Sequence, residues 1–173
     1  MAKQASPRIW LTYLGQTDYE NLNPYWAFCE SGADPPHRLA LLHTSAAKAE
    51  TARLKDRFSL LSEQYLKDSP IVETIPFNDE DVGSFREKAE AVFQAAAAEK
   101  TELIIDVSPT TWSYVPIFLM KLVWANRPRV RSVVYFQYAE PAMRRVPYPL
   151  IPRKGLIRHD LLTELSDSKE SGK

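Results

Sequence analysis

The sequence predicts an α/β protein: a Rossmann-like three-layer fold, with a mostly parallel sheet of five to six strands and helices on both faces. Three observations lead there. Five apolar, β-prone runs recur along the chain, helix-period segments lie between them, and two runs, at 39–42 and at 103–107 (broken only by Asp106), suit strands covered on both sides. Strand and helix in alternation imply right-handed βαβ crossovers, hence a parallel sheet.

The elements follow in order. "RIWLTYLG" (8–15) is β-rich and ends on Gly15, and "RLALLHTS" (38–45) is a second buried run. From Ser45 to Lys67, Leu54, Phe58, Leu61 and Tyr65 share one helical face, and "PIVETIPF" (70–77) then alternates as a strand. From Asp79 to Lys100 the stripe is Val82, Phe85, Ala89, Val92, Phe93 and Ala96; Asn78 is the expected cap, with Glu80 and Asp81 in the first turn. "ELIIDVS" (102–108) is the fourth strand, "WSYVPIFLMKLVWAN" (112–126) the helix after it, and "RSVVYFQYA" (131–139) the fifth strand. The expected order, 3-2-1-4-5, sets the first and fourth strands side by side at the switch point, where open α/β sheets bind ligands.

The composition then changes. "PAMRRVPYPLIPRKGLIRHD" (141–160) holds four prolines and five basic residues before its one acid. Proline excludes a core helix here. The expected division is therefore a Rossmann domain at 1–140, a basic proline-rich arm or edge hairpin at 141–165 packed on it, and a disordered tail at 166–173.

With 22 basic and 22 acidic side chains in 173 residues, the bulk of the molecule is no polycation for duplex nucleic acid. A single cysteine, Cys29, excludes an internal disulfide, and His37, His43 and His159 lack metal-ligand spacing, so no metal and no cofactor is expected. No run approaches the roughly 18–20 apolar residues of a membrane span. "MAKQASPR" has no apolar segment behind its charges, which points to the cytoplasm. GxGxxG, GxxxxGK[ST], GxSxG, HExxH and CxxC are absent, so no established catalytic constellation identifies catalytic residues.

The candidate site is the set of loops at the strand ends. Ser108, Pro109, Thr110 and Thr111 follow the fourth strand just before a helix, whose start offers unpaired N–H groups and positive potential. Hydroxyls there suit a phosphate seat, or Thr110 or Thr111 caps the helix. Thr12, Tyr13, Gly15, Gln16 and Thr17 end the first strand and face the same crevice. His43, Thr44 and Ser45 end the second, where capping competes with a ligand contact. Lys121 interrupts an apolar helix, and its ammonium either snorkels to solvent or reaches a phosphate. Trp112, Tyr114 and Trp124 stack on bases or pack in a core or dimer contact. Loop-edge hydroxyls of this kind are expected to add little to stability.

These stretches resemble a known family. "IWLTYLGQTDY", "HRLALLHTSAAKAETARL" and "LIIDVSPTTWSYVPIFLMKLV", spanning about residues 8–140, are similar to the first strand and ligand loop, the second strand with its "HT" entering a helix, and the fourth strand and helix of CARF domains, the CRISPR-associated Rossmann-fold sensors. Ser108 to Trp112 stand where that family commonly has a TGGTK-like loop, so its glycine pair and lysine are missing; Lys121 or the arm's arginines are the alternative cations. The resemblance implies a stand-alone homodimer binding a cyclic tetra- or hexa-adenylate across its two-fold axis in type III CRISPR antiviral signalling. The ligand-binding residues it implies are Thr12, Tyr13, Gly15, Gln16, Thr17, Thr44, Ser108, Thr110, Thr111, Trp112 and Lys121. A second reading is a metal-independent ring nuclease, in which a ribose 2′-hydroxyl attacks the adjacent phosphate to leave a 2′,3′-cyclic phosphate. A third is a small nucleotide-processing α/β enzyme using Asp106 or Asp18, although Asp106 also suits a hydrogen bond to its neighbouring loop.

Overall fold

The computed structural model describes residues 7–32, 35–66, 70–111 and 114–164. Trp112 and the expected tail at 166–173 lie outside the described residues. Six strands, β1 (Arg8–Tyr13), β2 (Arg38–Thr44), β3 (Ile71–Phe77), β4 (Glu102–Asp106), β5 (Val130–Tyr138) and β6 (Leu156–Asp160), form one sheet in the order β3-β2-β1-β4-β5-β6. The first five are parallel and β6 runs antiparallel to β5. The order of the first five is the predicted one, and β6 comes from the basic arm.

Strand periodicity divides the core. Ile9, Leu11 and Tyr13 of β1 face one layer with Leu103 and Ile105 of β4, under α3 (Val82–Ala98) and α4 (Tyr114–Ala125). Trp10 and Leu14 face the other with Ile104, under α1 (Asp18–Glu30) and α2 (Lys48–Ser62). Successive side chains on a strand point to opposite faces. By the same parity Thr12 and Asp106 point toward α1, which decides the chemistry of the site. Trp10 meets the Tyr25 ring edge-on at 5.4 Å in the layer under α1 and α2, and Phe77 meets Phe85 at 5.3 Å in the layer under α3 and α4.

α1 interleaves polar and apolar residues on its buried side: Glu20, Asn21 and Asn23 are buried among Leu22, Tyr25, Ala27, Phe28 and Cys29, and Pro24 lies within the helix. Hydrophobic periodicity sees only apolar burial. The cap of α3 also differs from expectation. Asp81 is the N-cap, accepting from Gly83 N at 2.8 Å, while Asn78 accepts from Glu80 N at 3.2 Å in a turn ahead of the helix. Asp81 wins because the extended backbone required of a cap falls there, one residue before Val82.

The chain between β5 and β6 makes three 3-10 turns, Pro141–Arg145, Tyr148–Leu150 and Arg153–Gly155. Its prolines set the backbone angles and withhold N–H groups, so no longer helix forms. α1 fastens this arm: Asn23 Nδ2 donates to Val146 O at 2.9 Å, its Oδ1 accepts from Tyr148 N at 2.9 Å, and Thr17 Oγ1 donates to Arg144 O at 2.8 Å.

Candidate functional site: the crevice at the ends of β1 and β4

β1 and β4 pair in parallel register, Ile9 with Leu103 and Leu11 with Ile105, so the loops that follow them leave the same sheet edge. They are joined directly. Tyr13 Oη donates to Pro109 O, and Thr111 Oγ1 donates to Leu14 O at 2.8 Å. Below them Thr12 Oγ1 donates to Asp106 Oδ2 at 2.9 Å, and Asp106 Oδ1 accepts from Ser108 N at 2.9 Å. Ser108 Oγ accepts from Phe136 N of β5 at 3.0 Å.

Two α1 side chains complete the network, and sequence reading assigned neither. Asn21 donates from Nδ2 to Tyr13 O at 2.7 Å and to Thr12 Oγ1 at 3.2 Å, and accepts from Gly15 N at 2.8 Å. Glu20, buried, accepts on Oε2 from Gln16 N at 3.1 Å and from Thr110 N at 3.5 Å. One carboxylate therefore touches both loops. Arg144 stands at the rim, its Nη1 donating to Thr110 Oγ1 at 2.9 Å and lying 3.9 Å from Glu20 Oε1. In the sequence Glu20 is one acid among several between two strands, and nothing in a single sequence separates a buried acid from an exposed one.

The electrostatics follow from burial. Desolvation pushes the Asp106 carboxyl up to about 7, against the pull of the Ser108 and Thr12 hydrogen bonds, and the charge of Glu20 adds to the rise. Burial, then Asp106 and Glu20, push the Tyr13 phenol far above its ordinary value, so it is a neutral donor. Burial raises the Cys29 thiol to about 12, which removes it as a nucleophile.

The predicted site residues thus fall into two groups. Thr12, Tyr13 and Ser108 are buried, and their hydroxyls hold the loops together. The expectation that such hydroxyls add little to stability is corrected for Ser108, because its removal leaves the Phe136 N–H without an acceptor inside the protein. Gln16 and Thr110 are exposed, and Gly15, Thr17 and Thr111 are partly buried at the crevice mouth. Thr17 caps α1, accepting from Glu20 N at 3.3 Å. The Thr111 hydroxyl is spent on Leu14 O. Thr44 is buried at the end of β2, where its side chain makes no capping bond. His43 Nδ1 is 2.8 Å from Thr44 O. Lys121 lies two turns into α4, exposed, with its ammonium 5.3 Å from the Phe118 ring centroid; this is a surface cation and not part of the crevice.

Tyr13→Phe tests the joint between the loops. It leaves the Pro109 carbonyl buried without its donor, a loss of about 1–3 kcal/mol, and thermal unfolding should register it. A variant that melts with the wild type would show that the loops are held without this bond, by Thr111 and Glu20.

A cavity of about 480 Å³ lies elsewhere, between the end of α1 and the arm, walled by Phe136, Tyr148, Ile151, Leu156 and Arg158 among others. It contains none of the loop residues. Among the described residues no group of three or more His, Cys, Asp or Glu is placed to hold a metal ion, and no helix is long and apolar enough to cross a membrane. Comparison with protein-family models finds no match to the chain, and comparison with curated proteins finds none either.

Proposed function

We propose that the crevice at the ends of β1 and β4 binds a nucleotide through its phosphates, and that the protein is a cytoplasmic sensor of a cyclic oligoadenylate, acting as a two-fold homodimer. The observation that supports this reading is the hydrogen-bonded union of the two loops at the switch point, with Gln16, Thr17 and Thr110 at its mouth and Arg144 beside them. The choice of ligand rests on the resemblance of the strand and loop motifs. In a two-fold dimer the same loops and arginine are presented twice, matching the repeated phosphates of a ring.

Sensing is preferred to cleavage for one reason. The hydroxyls of Thr12, Tyr13, Ser108 and Thr111 are each engaged within the protein, so few positioned donors remain to align an attacking 2′-hydroxyl. Arg144 supplies the signal path. A phosphate that draws its guanidinium from Thr110 and Glu20 removes the side-chain tie between the turn Pro141–Arg145 and the crevice, leaving that turn held by the bond from Thr17 to Arg144 O.

Calorimetry and chromatography with cyclic tetra- and hexa-adenylate, with and without chelator, test the reading. Tight binding without cleavage is expected, and Arg144→Ala should weaken it about tenfold or more, most strongly at low salt. Cleavage in chelator would make the protein a ring nuclease instead. Failure of both rings to bind would overturn the assignment.

A further inference from the structure

Beside the crevice, α2 carries Arg53 and Arg57, four residues apart and therefore neighbours on the helix surface. Both turn to Asp18, the first residue of α1. Arg53 Nε donates to Asp18 Oδ2 and Nη2 to Oδ1, each at 3.0 Å, while Arg57 Nη1 lies 2.6 Å from Oδ2. The Asp18 side chain is 10% exposed, against 55% and 44% for the arginines. A sheltered carboxylate thus fixes two guanidiniums whose other N–H groups are left for a ligand.

These residues line a cavity of about 380 Å³, with Thr17 and Tyr19, and Arg145 of the arm contributes a third guanidinium. Three guanidiniums line the cavity against the single carboxylate of Asp18, with Glu50 acting on Arg53 from outside the lining, so the wall is net positive and suits an anion of more than one negative charge. Guanidinium planes pair two N–H groups with two phosphate oxygens, and Asp18 holds two of the planes before a ligand arrives, so less side-chain freedom is lost on binding.

We infer that Arg53, Arg57 and Arg145 form a second anion site, distinct from the loops of the crevice, that takes a phosphoryl group with two negative charges, a phosphomonoester or pyrophosphate group. Asp18 is its positioning residue. The site adjoins the crevice through Thr17, which lines the cavity and bonds the arm at Arg144. It does not depend on the identity of the crevice ligand.

Titration of the whole protein with inorganic pyrophosphate at moderate salt, run in parallel on Arg144→Ala to discount phosphate taken by the crevice, tests this site. The wild type should bind and melt at higher temperature with pyrophosphate present. Arg145→Gln, a change in an exposed turn, should weaken binding at least tenfold while the melting temperature without ligand stays unchanged. Asp18→Asn separates a built site from general attraction. It adds one positive charge to the neighbourhood, so nonspecific binding would strengthen, whereas the loss of guanidinium positioning should weaken it. Should Asp18→Asn lower the melting temperature, Arg57→Gln serves in its place, with a tenfold loss expected. No binding by the wild type, unchanged affinity in Arg145→Gln, or tighter binding by Asp18→Asn would each overturn the inference. Failure of the cyclic oligoadenylates to bind would leave it standing.

Discussion

Raising the pH from about 4 to about 7 should destabilise the wild-type protein relative to an Asp106→Asn variant, by an amount on the order of a few kcal/mol across the window. Asp106 is fully buried beneath the loops, and burial raises its carboxyl to about 7 from an ordinary value of 3.8. Below the unfolded value both states hold the proton, and the contribution to stability is complete. Between the two values the unfolded chain releases the proton and the native protein keeps it, so stability falls with each step in pH. Above the native value both are ionised and the curve flattens. Asparagine imitates the neutral acid: Oδ1 can accept from Ser108 N, and Nδ2 can donate to Thr12 Oγ1, whose hydroxyl is then free to turn away. Glu20 is the other acid whose charge acts on Asp106, and it is present in both proteins, so the difference between the two melting curves isolates position 106. A difference that is flat or of opposite slope between pH 4 and 7 would show that Asp106 is ionised in the native state.

Gly15→Ala should be the most damaging single methyl in the crevice. A Cβ at Gly15 would stand 2.8 Å from both Glu20 Cβ and Glu20 Oε2, and 3.2 Å from Asn21 Oδ1. Glu20 Cβ is fixed to the α1 backbone and cannot swing aside, so the loop must move. The bonds from Gly15 N to Asn21 and from Gln16 N to Glu20 are then stretched or lost. Overpacking of this kind costs about 1–3 kcal/mol, a fall in melting temperature of roughly 2–4 °C per kcal/mol for a chain of this size. Glycine is required here by close approach and not by backbone angle, since Gly15 does not have a positive φ. An alanine variant with wild-type melting would refute the tight seat. In the proposed sensor it should also weaken ligand binding, because Gln16 and Thr110 are aligned through the same carboxylate.

Much of the fold was legible because alternating and helical periods report directly on which side chains leave water. Leu54, Phe58 and Leu61 of α2 and Phe85, Ala89, Val92, Phe93 and Ala96 of α3 are buried as their spacing predicts. α1 was not legible, because Glu20, Asn21 and Asn23 are buried through hydrogen bonds, which leave no hydrophobic period. The meeting of the loops after β1 and β4 followed from strand order alone. Their inner chemistry did not. Thr12, Tyr13 and Ser108 belong to residue types that serve a ligand or a neighbour equally well, and only position decides which.

By itself the sequence determined the α/β class, the order of the first five strands and the place where their loops gather, since each depends on local periodicity and on the handedness of βαβ crossovers. The tertiary structure alone decided which polar groups remain available there. Strand parity turned Thr12 and Asp106 toward α1, Glu20 and Asn21 came to meet them, and the backbone N–H groups of Gly15, Gln16 and Thr110 gained acceptors from a helix whose burial no pattern announces. The reason is physical. Apolar burial repeats along the chain and can be counted, whereas a buried hydrogen bond depends on two groups distant in sequence arriving within about 3 Å of each other.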